Sequence, residues 1–428
     1  MLRDVKRQQH LVSQLQNACL LVIAAWLIVP ALYASRDFRF LLVAVATIWI
    51  VSEYSNNSVD FLALDWSKLA LGLVGAILIV GSYFSDGWQG LRFEISVLVA
   101  LSLVFAGIQM FKRPYKDFYW TAIAILALFT FVAVTSNETL LKDQWGGRAV
   151  VRNSARAAEL MLENVGGYMF AYFASALIPI LVFLSLKLTC SGAKNFLLRL
   201  IAMLVLLIGA VFLFRSGYGI AIVSSVIGGL VVVLPGRLNA SSFWWAAVIA
   251  VILLFVFHAS LFDSAKSMTN GGPLYRKVLA LEQMTSFAGI GDEDSRVRVG
   301  KYNRSIGSFF NSPIVGTLSP RGIGRHSTLL DTFAQFGLVA GSAMLVALFL
   351  PLRQIFRAVR PANQKLVVAS GICLFMHAGL NNLQAGTTLA VFVIMPFAIS
   401  IVQHSSTQSS TVSRRLPRRL QHYRMIGS

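Results

Sequence analysis

Long apolar runs recur along the whole chain and are separated by short polar or basic connections. A helix that crosses the hydrocarbon core of a bilayer needs roughly 20 apolar residues. These runs do not alternate apolar and polar side chains as transmembrane strands would. The pattern predicts an all-α polytopic membrane protein with about twelve transmembrane helices. The predicted spans are Gln16–Ala34, Arg39–Val51, Lys68–Phe84, Phe93–Phe111, Phe118–Thr135, Tyr168–Leu186, Phe196–Phe214, Gly217–Leu234, Phe243–Phe262, Leu329–Pro351, Lys365–Leu380 and Thr387–Val402.

The composition agrees with a membrane protein. Of the 428 residues, 56% are hydrophobic and 13% are charged, about half the charged share of a soluble domain. The first apolar run, around Asn17–Ala34, has full spanning length and no small-residue cleavage site, so we interpret it as a retained helix. The three cysteines, Cys19, Cys190 and Cys373, show no metal-ligand spacing and are expected to be packing residues.

The formal net charge of +19 is concentrated on one side of the predicted topology. Basic connections at Lys112–Lys116 and Arg353–Lys365 lie on the same side as both basic tails, whereas Glu53–Asp65 is an exception without basic residues. The positive-inside rule makes that side cytoplasmic. The charge therefore does not indicate a nucleic-acid partner. In a bacterium, the predicted location is the inner membrane, with both termini cytoplasmic and the opposite side periplasmic.

This topology divides the chain into four parts. Residues 1–262 are predicted to hold helices 1–9, with a periplasmic connection near 136–167. Residues 263–327 form one large periplasmic loop, residues 328–402 hold helices 10–12, and residues 403–428 form a basic cytoplasmic tail. A loop of this length is too long to be only a connection.

The large loop is predicted to contain two helices, Tyr275–Phe287 and Ser295–Phe310. The second helix ends at Pro313 and Gly316, because proline removes a backbone donor and glycine frees the backbone. Its predicted apolar face contains Val299, Tyr302, Ile306 and Phe309.

Basic residues are concentrated in the second half of this loop. The basic residues there are Arg296, Arg298, Lys301, Arg304, Arg321 and Arg325. They could lie against anionic lipid headgroups, or their planar guanidinium groups could bind a phosphorylated ligand. Their convergence on a glycine-flanked histidine favours the ligand. Arg215, at another predicted periplasmic helix end, could extend to the membrane interface or contribute to the same pocket.

His326 is the only histidine predicted in a periplasmic loop, and histidine is a ready general base near neutral pH. Metal binding is the competing role, but no second histidine, cysteine or spaced carboxylate accompanies it. Asp331 follows five residues later, inside the next span, where an acid is a functional candidate that could orient a donor or pair with an arginine. His258 and His377 lie in apolar segments and are predicted to be hydrogen-bonded packing residues.

These residues together resemble the O-antigen polymerase and O-antigen ligase superfamily of bacterial membrane glycosyltransferases. FRSGYGIAIV, which contains Arg215, resembles the arginine-bearing start of a helix in that family. Arg298–Gly316 matches the pattern of an arginine, an aromatic residue four positions later and Pro-x-x-Gly, with Tyr302 in place of the commoner tryptophan. Gly324–Gly341 matches the family's histidine, then Ser or Asn, then a glycine-rich helix start.

The resemblance implies a GT-C-like helical fold, no metal or other cofactor, and glycan transfer from an undecaprenyl-pyrophosphate carrier at the periplasmic face. His326 is then the expected base, and Arg215 and Arg298 are expected to neutralise the leaving pyrophosphate. The expected substrate-binding residues are Arg296, Arg304, Arg321, Arg325, Tyr302 and Asp331. Besides the lipid-linked donor, the expected partners are a glycan or lipid A–core acceptor, membrane lipids and other polysaccharide-assembly proteins.

Polymerisation of lipid-linked repeats is the expected reaction, for O-antigen, capsule or exopolysaccharide. The alternative within the family is a ligase that transfers the polymer to lipid A–core. A ligase would carry Gly, Thr or Tyr at the position of Ala340. An alternative from another class is a polysaccharide transporter, but transporters usually contain internal repeats and charges at mid-membrane, which this sequence lacks.

Overall fold

The structure is a computed structural model of the full chain. It describes residues 2–34, 38–56, 66–110, 115–143, 155–188, 193–234, 275, 279, 293–319 and 322–404. Within these ranges the chain is helical and contains no strand, which confirms the predicted all-α class. The predicted span Phe243–Phe262, most of the predicted helix Tyr275–Phe287 and the tail from residue 405 lie outside the described residues.

Thirteen α-helices are described in these ranges. They are α1 (Leu2–Ile28), α2 (Pro30–Ala34), α3 (Phe38–Asn56), α4 (Trp66–Met110), α5 (Tyr115–Lys142), α6 (Ala155–Leu162), α7 (Tyr168–Lys187), α8 (Ala193–Ser216), α9 (Gly219–Val233), α10 (Glu293–Asn311), α11 (Thr328–Ala358), α12 (Gln364–Leu380) and α13 (Ala385–His404). A short 3₁₀ turn, Pro361–Asn363, precedes α12, and one π-helical turn, Ala390–Ile394, interrupts α13.

Seven of the described helices contain a segment that is long and apolar enough to cross a membrane. These helices are α1, α4, α5, α7, α8, α11 and α13. Shorter apolar stretches in α3 and α9, Leu41–Ser52 and Gly219–Val233, correspond to two more predicted spans. The described residues therefore support a helical membrane protein.

Helix α4 differs from the sequence prediction. Two separate spans, Lys68–Phe84 and Phe93–Phe111, were expected, but one unbroken helix of 45 residues covers Trp66–Met110. The connecting residues contain glycine and polar side chains but no proline, so every residue there can keep its helical hydrogen bond. At 1.5 Å per residue, α4 is about 67 Å long, roughly twice the thickness of the hydrocarbon core.

Helices α7 and α13 form the centre of the bundle. Within their spanning windows, 78% and 94% of residues are buried, against 33% in α8. The outward side chains of α8, such as Leu204 and Leu207, are exposed and apolar, as expected for a surface that faces lipid.

Helix α11 is broken at Gly337, where φ is +73° and the backbone leaves the helical conformation. The loop after α10 supplies the hydrogen bonds that the break removes. Leu338 N donates to Pro313 O at 2.8 Å, while Ala334 O and Gln335 O accept from the amides of Thr317 and Leu318 at 3.0 and 2.8 Å. The Pro-x-x-Gly segment that ends α10 therefore also joins α10 to the spanning helix α11.

The break should require glycine at position 337. L-residues adopt this φ at a cost of about 1–3 kcal/mol, and a Cβ would overlap the carbonyl oxygen of Ile314. We expect Gly337→Ala to lower the free energy of unfolding by at least that amount, measured by thermal unfolding in detergent.

Gly229→Ala is the matched control, because a Cβ there meets no atom within 4 Å. It should change stability by no more than about 1 kcal/mol, in the stabilising direction. Equal melting temperatures for the two variants would show that the break at Gly337 is not needed.

Candidate functional site

Several of the predicted site residues lie at one end of the helix bundle, among them Arg215, His326 and Asp331. Helices α5, α8 and α12 end there, and α7, α9, α11 and α13 begin there. Gly166 N, just before α7, donates to Ser136 Oγ near the end of α5 at 2.7 Å. Thr328 N, at the start of α11, donates to Asn381 O just after α12 at 3.2 Å. Arg215 and His326 therefore lie at the same end, as the topology predicted.

A row of tyrosine rings connects the two sides of this end. The ring of Tyr218, just before α9, lies 5.9 Å from that of Tyr168, which lies 4.6 Å from that of Tyr172. Asn381 Nδ2 then donates to the hydroxyl of Tyr172. Because Tyr218 lies three residues after Arg215 and Asn381 bonds to the start of α11, the row spans the space between the Arg215 and His326 segments.

The C-terminal end of α12 holds α10 and the start of α11 together. The last carbonyl groups of a helix have no partner within the helix. Here Ala378 O accepts from Ser327 Oγ at 3.3 Å, and Leu380 O accepts from the hydroxyl of Tyr302 at 2.6 Å. Tyr302 was predicted to bind substrate, but the structure gives its hydroxyl a role in fixing α10 against α12.

Asp331 lies in the first turn of α11 and has two protein donors. Its Oδ1 accepts from Ser305 Oγ at 2.6 Å, and its Oδ2 accepts from Ser327 N at 2.9 Å. Ser327 is the N-cap residue, and its own side chain accepts from Leu330 N, so the two residues cap the helix reciprocally. These bonds join α10 to α11, and the pairing of Asp331 with an arginine stays a prediction.

Ser305 is the centre of this junction. It is 2% exposed, donates to Asp331 and accepts from Gly324 N at 2.9 Å. A Cβ at Gly324 would overlap the carbonyl oxygen of Lys301, so the loop before His326 packs directly on the backbone of α10. The predicted face of α10 is corrected here: Ser305 is buried between Tyr302 and Phe309, whereas Ile306 is 40% exposed.

His326 is half-buried on the loop immediately before α11. Its ring centroid lies 6.4 Å from that of Tyr302. Two residues earlier, Gly324 is fixed to α10, and the following residue, Ser327, is fixed to α12. The histidine is therefore held between two anchored neighbours while its ring stays at the surface of the bundle.

Arg215 is half-buried in the last turn of α8. Its Nη1 donates to Asn137 O on α5 at 3.0 Å. A guanidinium group has five N–H donors, and this is the one hydrogen bond it makes within the described part of the chain. The bond holds the guanidinium group at this end of the bundle.

The other predicted arginines fall into three groups. Arg304 and Arg325 are exposed, and Arg325 has a positive φ of 53°. Arg296 and Arg298 lie in the first two turns of α10, and Arg298 is one turn before Tyr302, but the structure does not describe their side chains. Arg321 lies outside the described residues.

The N-terminus of α11 is occupied by the protein itself. Of the first four N–H groups, those of Ser327, Thr328 and Leu330 bond to Asp331, Asn381 and Ser327 respectively. Helix N-termini commonly bind phosphate through such groups, but these three already have partners. An anion at the start of α11 would therefore depend on side chains. Within the described residues, no three His, Cys, Asp or Glu side chains are placed to hold a metal ion.

Sequence analysis missed Ser305, Asn137 and Asn381 as parts of this region. Their positions carry no motif, and their contacts join residues 26, 78 and 209 positions apart in the chain. One available signal was that Ser305 lies three residues after Tyr302, so the two residues share one side of α10.

Comparison with models of known protein families gave no match, and no curated protein matches the chain.

The Ser305 junction gives a direct stability test. Ser305→Ala would remove the donor to Asp331 Oδ1 and the acceptor of the Gly324 amide, while Asp331 Oδ2 would keep its bond from Ser327 N. Each lost partner of a buried polar group costs about 1–3 kcal/mol. We expect a lower melting temperature and faster hydrogen exchange in residues 322–331, measured by mass spectrometry.

Ser308→Ala is the control on the same helix, because the Ser308 hydroxyl makes a single long contact within the described residues, 3.5 Å from Gly322 O. If both variants behave like the wild type, Ser305 does not hold the loop before His326.

Proposed function

We propose that this chain polymerises glycan repeats carried on undecaprenyl pyrophosphate, at the periplasmic face of a bacterial inner membrane. The observation that supports the proposal is that Arg215, held by Asn137, and the anchored His326 lie at one end of a membrane-helix bundle. The sequence resemblance to O-antigen polymerases supports the same reaction. In this proposal the enzyme is a glycosyltransferase that needs no metal.

The proposed reaction requires a base that activates the attacking hydroxyl group and a leaving group on the carbon atom that is attacked. A hydroxyl group of the acceptor glycan attacks the anomeric carbon of the donor, and the bond from that carbon to the pyrophosphate oxygen breaks. The hydroxyl proton passes to the His326 imidazole as general base. The carrier pyrophosphate leaves with the bonding electron pair, and arginine donors stabilise the charge that develops on it.

We propose the following division of this work. Arg215 and, in the same role, Arg298 contact the pyrophosphate, with Arg296 in support. His326 meets the acceptor hydroxyl. This end of the bundle suits a lipid-linked donor. The lipid tail of the donor can stay beside the apolar helices while its pyrophosphate reaches the arginines. Arg304, Arg321 and Arg325 contribute positive charge along the approach.

A reconstituted assay tests this proposal. The purified protein in nanodiscs, supplied with a defined lipid-pyrophosphate-linked repeat, should form a ladder of longer glycans on a gel. We expect His326→Ala to reduce the rate by about 10²–10⁴-fold, the usual contribution of a general base. Arg215→Ala should reduce it by about 10²–10³-fold, as for other groups that stabilise developing charge.

Arg357→Ala is the matched control, because Arg357 is an arginine in the last turn of α11, at the opposite end of that helix. It should polymerise at the wild-type rate. Unchanged polymerisation in His326→Ala contradicts the assigned base. Transfer to lipid A–core without elongation identifies a ligase instead, and the loss of activity with a chelator contradicts metal independence.

A further inference from the structure

A polar cluster lies buried inside the bundle, away from the surface that contains His326. Its centre is His377 of α12, which is 0% exposed. The Nε2 atom lies 2.8 Å from Ser224 Oγ of α9 and 3.0 Å from Ser175 Oγ of α7, and Nδ1 lies 2.9 Å from Thr387 Oγ1 of α13. The prediction that His377 is a hydrogen-bonded packing histidine is confirmed, but its contacts join four helices at once.

The hydrogen bonds are consistent with one neutral form of the imidazole. The hydroxyls of Ser175 and Ser224 donate to Tyr172 O and Ala221 O at 3.2 and 3.1 Å. Their oxygens can therefore accept from His377 Nε2–H, while the Thr387 hydroxyl donates to Nδ1. The two ring nitrogens point in fixed directions, so the cluster defines how α12 is rotated about its own axis.

The same turn of α12 leads directly to the candidate site. Asn381 N donates to His377 O at 2.9 Å, and Tyr172, whose ring lies 4.5 Å from the imidazole, accepts from Asn381 Nδ2. The carbonyl groups that bind Ser327 and Tyr302 belong to Ala378 and Leu380, one and three residues after His377. A rotation of this turn would move these carbonyls and the residues bonded to them.

The polar character of the cluster needs an explanation. A buried polar group is tolerated when it is hydrogen-bonded, but an apolar side chain would fill the same space without that requirement. A fully bonded network can instead select one arrangement of the surrounding helices. Selecting one helix arrangement matters most where a small rotation of a helix would move a reactive side chain.

We infer that His377 is a positioning residue: through the last turn of α12, it sets the place of His326 relative to Tyr302 and Ser327. The expected loss of catalysis rests on the proposed function. The expected change in structure at the end of α12 is independent of the proposed function. His377 is buried and does not touch substrate.

Hydrogen exchange tests the structural consequence without any activity. His377→Ala should speed exchange at the amides of Thr328 and Leu383, which bond to Asn381 O and Thr328 Oγ1 at this junction. The amide of Leu318, at the Gly337 break, should stay protected. Thr387→Val provides a milder change in case His377→Ala does not fold, and it should act in the same direction.

Ser370→Ala is the matched control. Ser370 is buried on the same helix, two turns earlier, and its hydroxyl has no hydrogen-bond partner within the described residues. Exchange at Thr328 and Leu383 should not change in this variant. If exchange there is equally unchanged in His377→Ala and Thr387→Val, the positioning role is wrong.

Steady-state kinetics test the catalytic consequence. His377→Ala should lower kcat by about ten- to one-hundredfold, the size of effect expected for a displaced catalytic group, and leave KM for the lipid-linked repeat nearly unchanged. His377→Gln should recover part of kcat, because its amide can bond to Ser175 and Ser224.

A rise in KM with normal kcat contradicts the inference. If wild-type protein makes no glycan, the proposed function fails, and the exchange result alone decides the role of His377.

Discussion

The structure depends on one constraint: a backbone polar group inside a membrane must find its hydrogen-bond partner within the protein. The break at Gly337 in α11 and the end of α12 both leave such groups without partners in their own helices. Both are satisfied by α10 or the loop that follows it. Helix α10 is therefore not an independent amphipathic helix on the surface, since it completes the backbone bonding of two neighbouring helices.

This constraint explains why the surface loop before α11 can hold a precise arrangement. Ser305 bonds to Asp331 and Gly324, and Ser327 bonds to α12. His326 lies between these fixed points, so its backbone position is set by the same bonds that satisfy the helices. A reaction in which charge develops in the transition state is favoured by hydrogen-bond donors that are already in position before it begins. On the other side of the tyrosine row, the bond from Arg215 to Asn137 fixes the guanidinium group in the same way.

The sequence was sufficient for features that depend on local pattern. Apolar runs predicted most of the described spanning helices, and Pro313 with Gly316 predicted the end of α10. Features that depend on distant partners were not predictable. The continuity of α4 follows from the absence of proline rather than from any signal of its own. Asp331 looked like a membrane-embedded acid, but its partner Ser305 is known only once α10 is folded against α11. The roles of the arginines and of His326 in glycan transfer stay predictions.

The central claim is that one end of the bundle binds the lipid-pyrophosphate donor between Arg215 and His326. Photo-crosslinking measures this most directly, with a lipid-pyrophosphate-linked glycan that carries a diazirine on its first sugar. The account predicts adducts in residues 208–218 and in residues 293–331, mapped by mass spectrometry and suppressed by unlabelled donor. Adducts confined to residues 353–365, at the opposite end of α11, would contradict it.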